Sequence, residues 1–118
     1  MPGRYSFPKS ARLLRSTDFR RVYDQGSRFS CSLFAAFCLR GDGAGGPRIG
    51  FTVPRALGKA VVRNRIKRRV REAVRLRLDR LNSSWSIVIN PRSKSLDAPA
   101  AELAREVERL FQRCNGSS

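Results

Sequence analysis

The residues best suited to chemistry are nine cations between Arg63 and Arg80, a segment in which only Glu72 and Asp79 carry negative charge. Arginine predominates over lysine here, and its planar guanidinium can donate two hydrogen bonds at once to a phosphate. A helix with a merely solvated face would mix Glu with Lys at four-residue spacing, and this segment does not. The segment is therefore predicted to bind a sugar-phosphate backbone.

The start of this segment combines side-chain and backbone donors. Arg63, Asn64 and Arg65 follow the glycine-containing connector ALGKAVV and are expected in the first turn of a helix. Backbone N–H groups there lack intrahelical partners, and the helix dipole favours an anion. Asn64 can donate and accept, which suits a base edge, a 2′-hydroxyl or a backbone carbonyl, but a local cap or turn residue is the alternative.

Aromatic residues form a second group that could do chemistry, and the six candidates all lie in the first half of the chain: Phe19, Tyr23, Phe29, Phe34, Phe37 and Phe51. In a regular strand Phe34 and Phe37 point to opposite faces, so one can be buried while the other is open. An exposed aromatic ring beside cations is a stacking platform for unpaired bases, worth about 1 to 3 kcal/mol per base. For each ring, packing in the core is the alternative.

The overall composition restricts the class of protein. The chain has 118 residues, 25 Lys plus Arg against 9 Asp plus Glu, a formal net charge of +16 and no histidine. A nuclease with its own histidine base is therefore excluded, as are zinc sites that contain histidine. The length predicts a single domain over residues 1–118. The three cysteines lack the spacing of a metal or redox motif and are expected to be small buried side chains in a reducing compartment.

The lack of a recognisable secretory signal or membrane span, together with the positive charge, predicts a cytoplasmic protein with a polyanionic partner. Basic and proline residues interrupt any apolar core of a secretory signal near the start, and Leu33–Leu39 is too short to span a bilayer. Residues 1–15 are expected to form a basic flexible arm, and residues 115–118 a flexible tail. A nucleic acid fits the charge better than a membrane or a small-molecule substrate, and nothing in the sequence indicates an oligomeric state.

Hydrophobic periodicity predicts the elements that position these groups. Helices are expected over about 17–25, with Ser16 as N-cap and Gly26 after its end, over about 60–81, and over about 99–114. Strands are expected over 27–40, 48–53 and 85–90, the first two as a hairpin around the turn 41–47. A strand, a long helix and a strand in this order form a βαβ unit with parallel pairing. The long helix should be apolar inward and cationic outward, with Arg65, Arg68, Arg69, Arg71 and Arg75 on its outer side.

The segment RIGFTVPRALGKAVVRNRIKRRVREAVR resembles the signature of the bacterial ribonuclease P protein family. The pattern R-N-R-x-K-R falls here on Arg63, Asn64, Arg65, Lys67 and Arg68. The flanks are similar too, because STDFRRVYDQG resembles the first helix of that family and WSIVINPR its last strand.

The resemblance implies an α+β fold, a single-domain α/β sandwich of about four strands and three helices. Its βαβ crossover would be left-handed, as in a domain of ribosomal protein S5. It also implies a protein that binds a large catalytic RNA and helps it remove the 5′ leader from precursor tRNA by magnesium-assisted hydrolysis. The catalytic groups and most of the Mg²⁺ would then belong to the RNA, and no residue of this chain would be catalytic.

The resemblance also assigns residues to two roles. The residues implied to bind the ribonuclease P RNA, together with their cationic neighbours, are Arg55, Lys59, Arg63, Asn64, Arg65, Lys67, Arg68, Arg69 and Arg71. The residues implied to line a cleft for the single-stranded leader are Phe19, Tyr23 and Phe37. Two other classes remain open at this point: a ribosomal or chaperone-type RNA-binding protein without a processing role, and a nuclease that needs no RNA.

Overall fold

One mixed four-stranded sheet organises the computed structural model, which describes residues 16–41, 47–81 and 85–116. The strands are β1 (Ser27–Ser30), β2 (Phe34–Arg40), β3 (Arg48–Phe51) and β4 (Trp85–Pro91), in the spatial order β1-β2-β4-β3. β1 pairs antiparallel with β2, β2 pairs antiparallel with β4, and β3 pairs parallel with β4. The β-branched run of β4 therefore takes a central position, where both faces of a strand are covered.

Three helices cover the two faces of the sheet. They are α1 (Ser16–Gln25), α2 (Ala60–Arg75) and α3 (Ala100–Gly116). Alternate residues of β2 separate the faces, as the aromatic spacing predicts: Phe34 is fully buried in the core shared with α2 and α3, whereas Phe37 packs with α1 on the other face. The α+β fold with three helices and four strands is confirmed, and so is the parallel pairing of the β3-α2-β4 unit.

The predicted strand over 27–40 is wrong, because residues Cys31 to Leu33 reverse the chain. β1 and β2 form their own hairpin, in which the backbone N–H of Cys31 donates to the carbonyl of Phe34. The predicted hairpin between the segments now called β2 and β3 is also wrong, since β4 lies between them. Small residues in SCS permit the tight turn, and the turn shifts the alternation by one position, so that Phe29 and Phe34 both face the core.

The long helix is shorter than predicted, because α2 ends at Arg75 and a 3₁₀ turn, Leu78–Arg80, follows it. Leu81 is buried as the helical stripe requires, but it reaches the core through this turn. At the other end of the chain, α3 continues to Gly116, so residues 115 and 116 are helical instead of part of a flexible tail. The predicted basic arm, 1–15, lies outside the described residues.

Two of the three cysteines contact each other inside the core. Cys38 of β2 and Cys114 of α3 are buried, unpaired by any disulfide and joined by a hydrogen bond between their side chains. This hydrogen bond, with burial, raises the pKa of the Cys38 thiol; the same hydrogen bond lowers the pKa of Cys114. The thiols thus pack as small buried side chains, while Cys31 is only partly buried.

Substitution of Gly26 tests the junction between α1 and β1. A Cβ atom there would lie 2.5 Å from the carbonyl oxygen of Val22 and 2.9 Å from that of Cys38, and both are backbone atoms. Gly26→Ala should therefore lower the free energy of unfolding by about 2 to 3 kcal/mol in denaturant titrations. Gly116→Ala is the matched control, because nothing lies within 4 Å of its Cβ position. Equal stability of the two variants would contradict this close approach.

Candidate nucleic-acid interface

The outward side of α2 carries the densest set of predicted binding residues. Ile66, Val70, Ala73 and Val74 point into the core, so the remaining positions of the helix are turned outward. Asn64, Arg65 and Arg68 are exposed. Along one flank of the helix, at four-residue intervals, lie three half-buried cations, Arg63, Lys67 and Arg71. These six residues are called the α2 face below. Together they place five positive charges and one amide on one surface of a single helix.

The start of α2 is shaped by a glycine. Gly58 has φ of +133°, a conformation that side-chain-bearing residues rarely adopt, and its carbonyl accepts a hydrogen bond from Nε of Arg63 at 3.2 Å. Lys59 is the N-cap residue, and its side chain makes no capping hydrogen bond. The first N–H groups of α2 therefore have neither an intrahelical partner nor a side-chain cap from Lys59, as an anion site requires.

Asn64 and Arg65 lie in the second turn of α2, not in the first as predicted, and both are exposed. The interpretation of Asn64 as a cap or turn residue is wrong, because the cap position belongs to Lys59. Arg55 opens a short 3₁₀ turn, Arg55–Leu57, in the connector between β3 and α2. Arg55 and Lys59 are both exposed and extend the positive surface beyond the start of the helix.

Arg69 differs from its neighbours, and its predicted place on the outer cationic side is wrong. Its guanidinium donates to the carbonyls of Ser95 at 2.6 Å, Leu96 at 2.7 Å and Ala98. These carbonyls belong to the 3₁₀ turn Ser93–Leu96 and the segment that leads into α3. Arg69 therefore fixes the entry to α3 against α2, with a large part of its hydrogen-bonding capacity used inside the protein.

The acidic side chains that form ion pairs neutralise cations outside the α2 face. Glu72 pairs with Arg75 at 2.6 Å, Glu106 with Arg109 at 2.7 Å, and Glu108 with both Arg77 and Arg80. The hydrogen bond from Arg77 lowers the pKa of Glu108, and the one from Arg75 lowers the pKa of Glu72. Among the described residues, no ion pair involves the cations of the α2 face.

The three predicted cleft aromatics meet on the opposite face of the sheet. Phe19, Tyr23 and Phe37 are partly buried and pack around Val22 of α1 and Val88 of β4. The rings of Tyr23 and Phe37 stand edge to face, with centroids 4.9 Å apart. The hydroxyl of Tyr23 donates to Oδ1 of Asn90 in β4 at 2.8 Å, which holds the ring in place.

An open groove of about 460 Å³ lies beside these rings, bounded by Tyr23 and by residues absent from the predicted set. Strand register aligns its floor, because Ala35 pairs with Ser30 on one side and with Asn90 on the other. The remaining lining residues are Arg28, Thr52, Pro54, Pro91 and Arg92. The floor is thus made of small and polar side chains, with cations on its rim.

Two cations of this groove were missed by the sequence analysis. The guanidinium of Arg28 lies 5.9 Å from the centroid of Phe37, and Nη2 of Arg92 donates to Oγ of Ser30 at 2.9 Å. Arg28 could have been found from the alternation Arg28-Phe29-Ser30, which places it opposite Phe29, once β1 is recognised as a separate strand. For Arg92, which follows β4 directly, no sequence signal points to the groove.

The groove and the α2 face are joined by the connector after β3. Thr52 and Pro54 line one end of the groove, and the chain runs from them through Arg55 and Lys59 into α2. At the other end the groove reaches Arg28 on β1, the opposite edge of the sheet. A nucleic-acid strand could therefore lie across the sheet, with one end close to the start of α2.

Neither a metal cluster nor a membrane helix is found in the parts of the chain that the structure describes. Within 16–41, 47–81 and 85–116, no three Cys, Asp or Glu side chains come together as metal ligands. No helix in the same ranges has the length and the apolar character needed to cross a membrane. The charged donors of the α2 face and of the groove are guanidinium and ammonium groups, which bind anions.

Comparisons with known proteins find similar sequences and similar folds. Residues 7–115 match the family model described as Ribonuclease P. Proteins named "Ribonuclease P protein component" are similar: that of Symbiobacterium thermophilum is 43% identical over 105 residues, covering 89% of this chain and 91% of its own. That of Desulfosudis oleivorans is 38% identical over 109 residues, covering 92% and 89%. The solved RNase P protein from Thermotoga maritima superposes with a TM-score of 0.76 at 26% identity, covering 86% and 96%.

Proposed function

The chain belongs to the ribonuclease P protein family, and we propose that its α2 face binds the RNA subunit of ribonuclease P while its groove holds the precursor-tRNA leader. The protein is the RNA-binding subunit of this endoribonuclease, which matures the 5′ end of tRNA. The homologues do not favour the alternative of a ribosomal or chaperone-type protein. The two proposed RNA contacts use different chemistry and lie on different surfaces.

The observation that carries the first contact is the α2 face itself. Five cations and Asn64 are turned outward on one helix, no ion pair among the described residues neutralises them, and the uncapped helix start adds backbone donors beside Lys59. Guanidinium groups in such a row match the phosphates of a folded RNA, and Asn64 adds a group that can bind a base edge or a 2′-hydroxyl. Arg69 takes no part in this contact and acts by positioning α3.

The second contact is with unpaired nucleotides. Phe37 and Tyr23 present partly exposed rings beside the cation of Arg28, and the polar floor offers Asn90 and Thr52 as hydrogen-bonding groups. Stacking on rings tolerates any base, and the cations bind the backbone, so the groove suits a single strand of variable sequence. A leader, whose sequence differs from one precursor tRNA to another, is such a strand.

The protein positions the substrate and supplies positive charge for this reaction, and we propose that the catalytic groups belong to the RNA subunit. Magnesium in the holoenzyme would be held by RNA phosphates, because the described side chains offer no cluster of oxygen ligands and carry an excess of positive charge. When bound there, the metal would activate the attacking water and stabilise the leaving oxygen. The part of this chain is to hold the leader near the RNA core and to reduce repulsion between the two RNAs.

A reconstitution measures this function directly. Purified protein mixed with ribonuclease P RNA should lower the magnesium concentration at which the RNA cleaves precursor tRNA, because protein cations replace part of the metal that screens the phosphates. The protein without RNA should leave the precursor intact. An unchanged magnesium requirement would favour an RNA-binding protein without a processing role, and cleavage without RNA would show a self-contained nuclease.

A further inference from the structure

A second row of arginines lies on α3, on the flank that faces away from α2. Arg105, Arg109 and Arg113 follow each other at four-residue intervals and therefore project from one side of the helix. All three are exposed. They are called the α3 arginine row below. The opposite flank of α3 carries Glu108, which pairs with Arg77 and Arg80, so the row is separated from the α2 face by the body of the helix.

The edge strand β1 connects this row with the groove. Arg28 and Phe29 are consecutive and point to opposite faces of the sheet. On the groove side, Arg28 lies over the ring of Phe37. On the other side, the guanidinium groups of Arg109 and Arg113 lie 6.0 Å and 5.8 Å from the ring centroid of Phe29. Because β1 is an edge strand of the sheet, only the width of this strand separates Arg28 on one face from Arg109 and Arg113 on the other.

The charges around β1 favour a polyanion. The positive groups are Arg28 and Arg92 at the groove and the α3 arginine row beyond it. The negative groups on the same flank of α3 are Glu102 and Glu106, and Glu106 is buried and accepts a hydrogen bond from Arg109 at 2.7 Å. Five cations against two carboxylates leave a surplus of three positive charges on a path that begins at the groove.

The strand edge itself suits RNA better than another protein strand. β1 is only four residues long, and its exposed residues are Ser27, Arg28 and Ser30. Short, charged edge strands resist pairing with a further strand. Hydroxyl groups, outward N–H groups and arginines are at the same time the donors that proteins direct at phosphates.

We propose that the RNA strand held in the groove continues over β1 and that its next nucleotides bind the α3 arginine row through their phosphates. The proposal rests on the proposed function, because it extends the leader path from the groove. The nucleotides concerned are those farther from the cleavage site than the ones that stack on Tyr23 and Phe37. The row adds affinity only when the leader is long enough to pass β1.

Leader length is the variable that tests this path. The double variant R105Q/R113Q is compared with wild type in the reconstituted holoenzyme, with precursor tRNAs whose leaders either end inside the groove or extend past β1. The control variant R40Q/R80Q removes two exposed charges elsewhere: Arg40 ends β2 at the end opposite the groove, and Arg80, in the 3₁₀ turn Leu78–Arg80, pairs with Glu108 on the far flank of α3. Dissociation constants are measured over a range of salt concentrations.

With the long leader, R105Q/R113Q should bind about tenfold more weakly than wild type, and its slope of log affinity against log salt should be smaller by about 1.4, or about 0.7 for each lost phosphate contact. The short leader should bind both proteins equally. R105Q alone, which leaves the contacts at Phe29 intact, should lose about half of that slope. The control variant should follow wild type for both leaders.

Two results would overturn the proposal. Equal weakening for both leaders would mean that the row acts on another part of the substrate, and no weakening for the long leader would mean that the strand leaves by another route. Failure of the groove assignment is separately visible, because wild type would then bind the short-leader precursor no better than mature tRNA.

Discussion

The double variant R65Q/R68Q should bind ribonuclease P RNA about a hundredfold more weakly than wild type at moderate salt. Both side chains are exposed on the α2 face, so the free energy of unfolding should stay within about 0.5 kcal/mol of wild type. Each charged hydrogen bond to a phosphate is worth about 1.5 kcal/mol, which gives roughly a factor of ten for each arginine. The measurement is a titration of labelled RNA with protein.

Salt dependence separates a phosphate contact from a general loss of charge. Removal of two phosphate contacts should lower the slope of log affinity against log salt by about 1.8 if each contact counts as it does on a duplex backbone. The control R40Q/R80Q has the same net charge as R65Q/R68Q but leaves the α2 face intact, and its slope should stay close to that of wild type. Equal slopes for the two double variants would show that the α2 face is not the RNA contact.

Substitution of Arg69 should have the largest effect on stability. Arg69→Met keeps the aliphatic stem but removes the donors for the carbonyls of Ser95, Leu96 and Ala98, which hold the entry to α3 against α2. We expect the free energy of unfolding to fall by about 3 kcal/mol and the thermal midpoint by about 10 °C. Thermal unfolding followed by circular dichroism measures both quantities.

Arg68→Met is the matched control for Arg69→Met, since it changes the neighbouring residue in the same way. Arg68 is exposed on the α2 face, so its substitution should reduce RNA affinity about tenfold and leave stability unchanged. Arg69→Met, in contrast, should reduce stability, and its folded fraction should bind RNA nearly as wild type does. If both variants lost only RNA affinity, the internal role of Arg69 would be refuted.

The sequence predicts α2 well because two independent signals coincide there. The apolar stripe that contains Ile66 and Val70 separates inward from outward positions, and the charge count marks the outward side. The same signals cannot single out Arg69. Its partners lie 26 to 29 residues further along the chain, and only the docking of the 3₁₀ turn Ser93–Leu96 brings their carbonyls to its guanidinium.

The groove is harder to predict, because its residues come from segments far apart in the chain. The split of 27–40 into β1 and β2 decides where Arg28 lies, and the insertion of β4 between β2 and β3 decides that Asn90 forms the floor. The continuous apolar run Leu33–Leu39 conceals this split, because it hides the shift in alternation that lets Phe29 and Phe34 both face the core. The assignment of Phe19, Tyr23 and Phe37 to one cleft depends on the family resemblance, because the sequence pattern alone marks each ring only as a candidate for stacking or for the core.

The most direct test of the division between the two surfaces is a photocrosslinking measurement on the assembled holoenzyme with precursor tRNA. A photoreactive phenylalanine derivative is placed either at Phe37 beside the groove or at Asn64 on the α2 face, and the crosslinked RNA is identified. Position 37 should crosslink to the leader and position 64 to the ribonuclease P RNA. Crosslinks from position 37 to the ribonuclease P RNA alone, or from position 64 to the leader alone, would contradict this account.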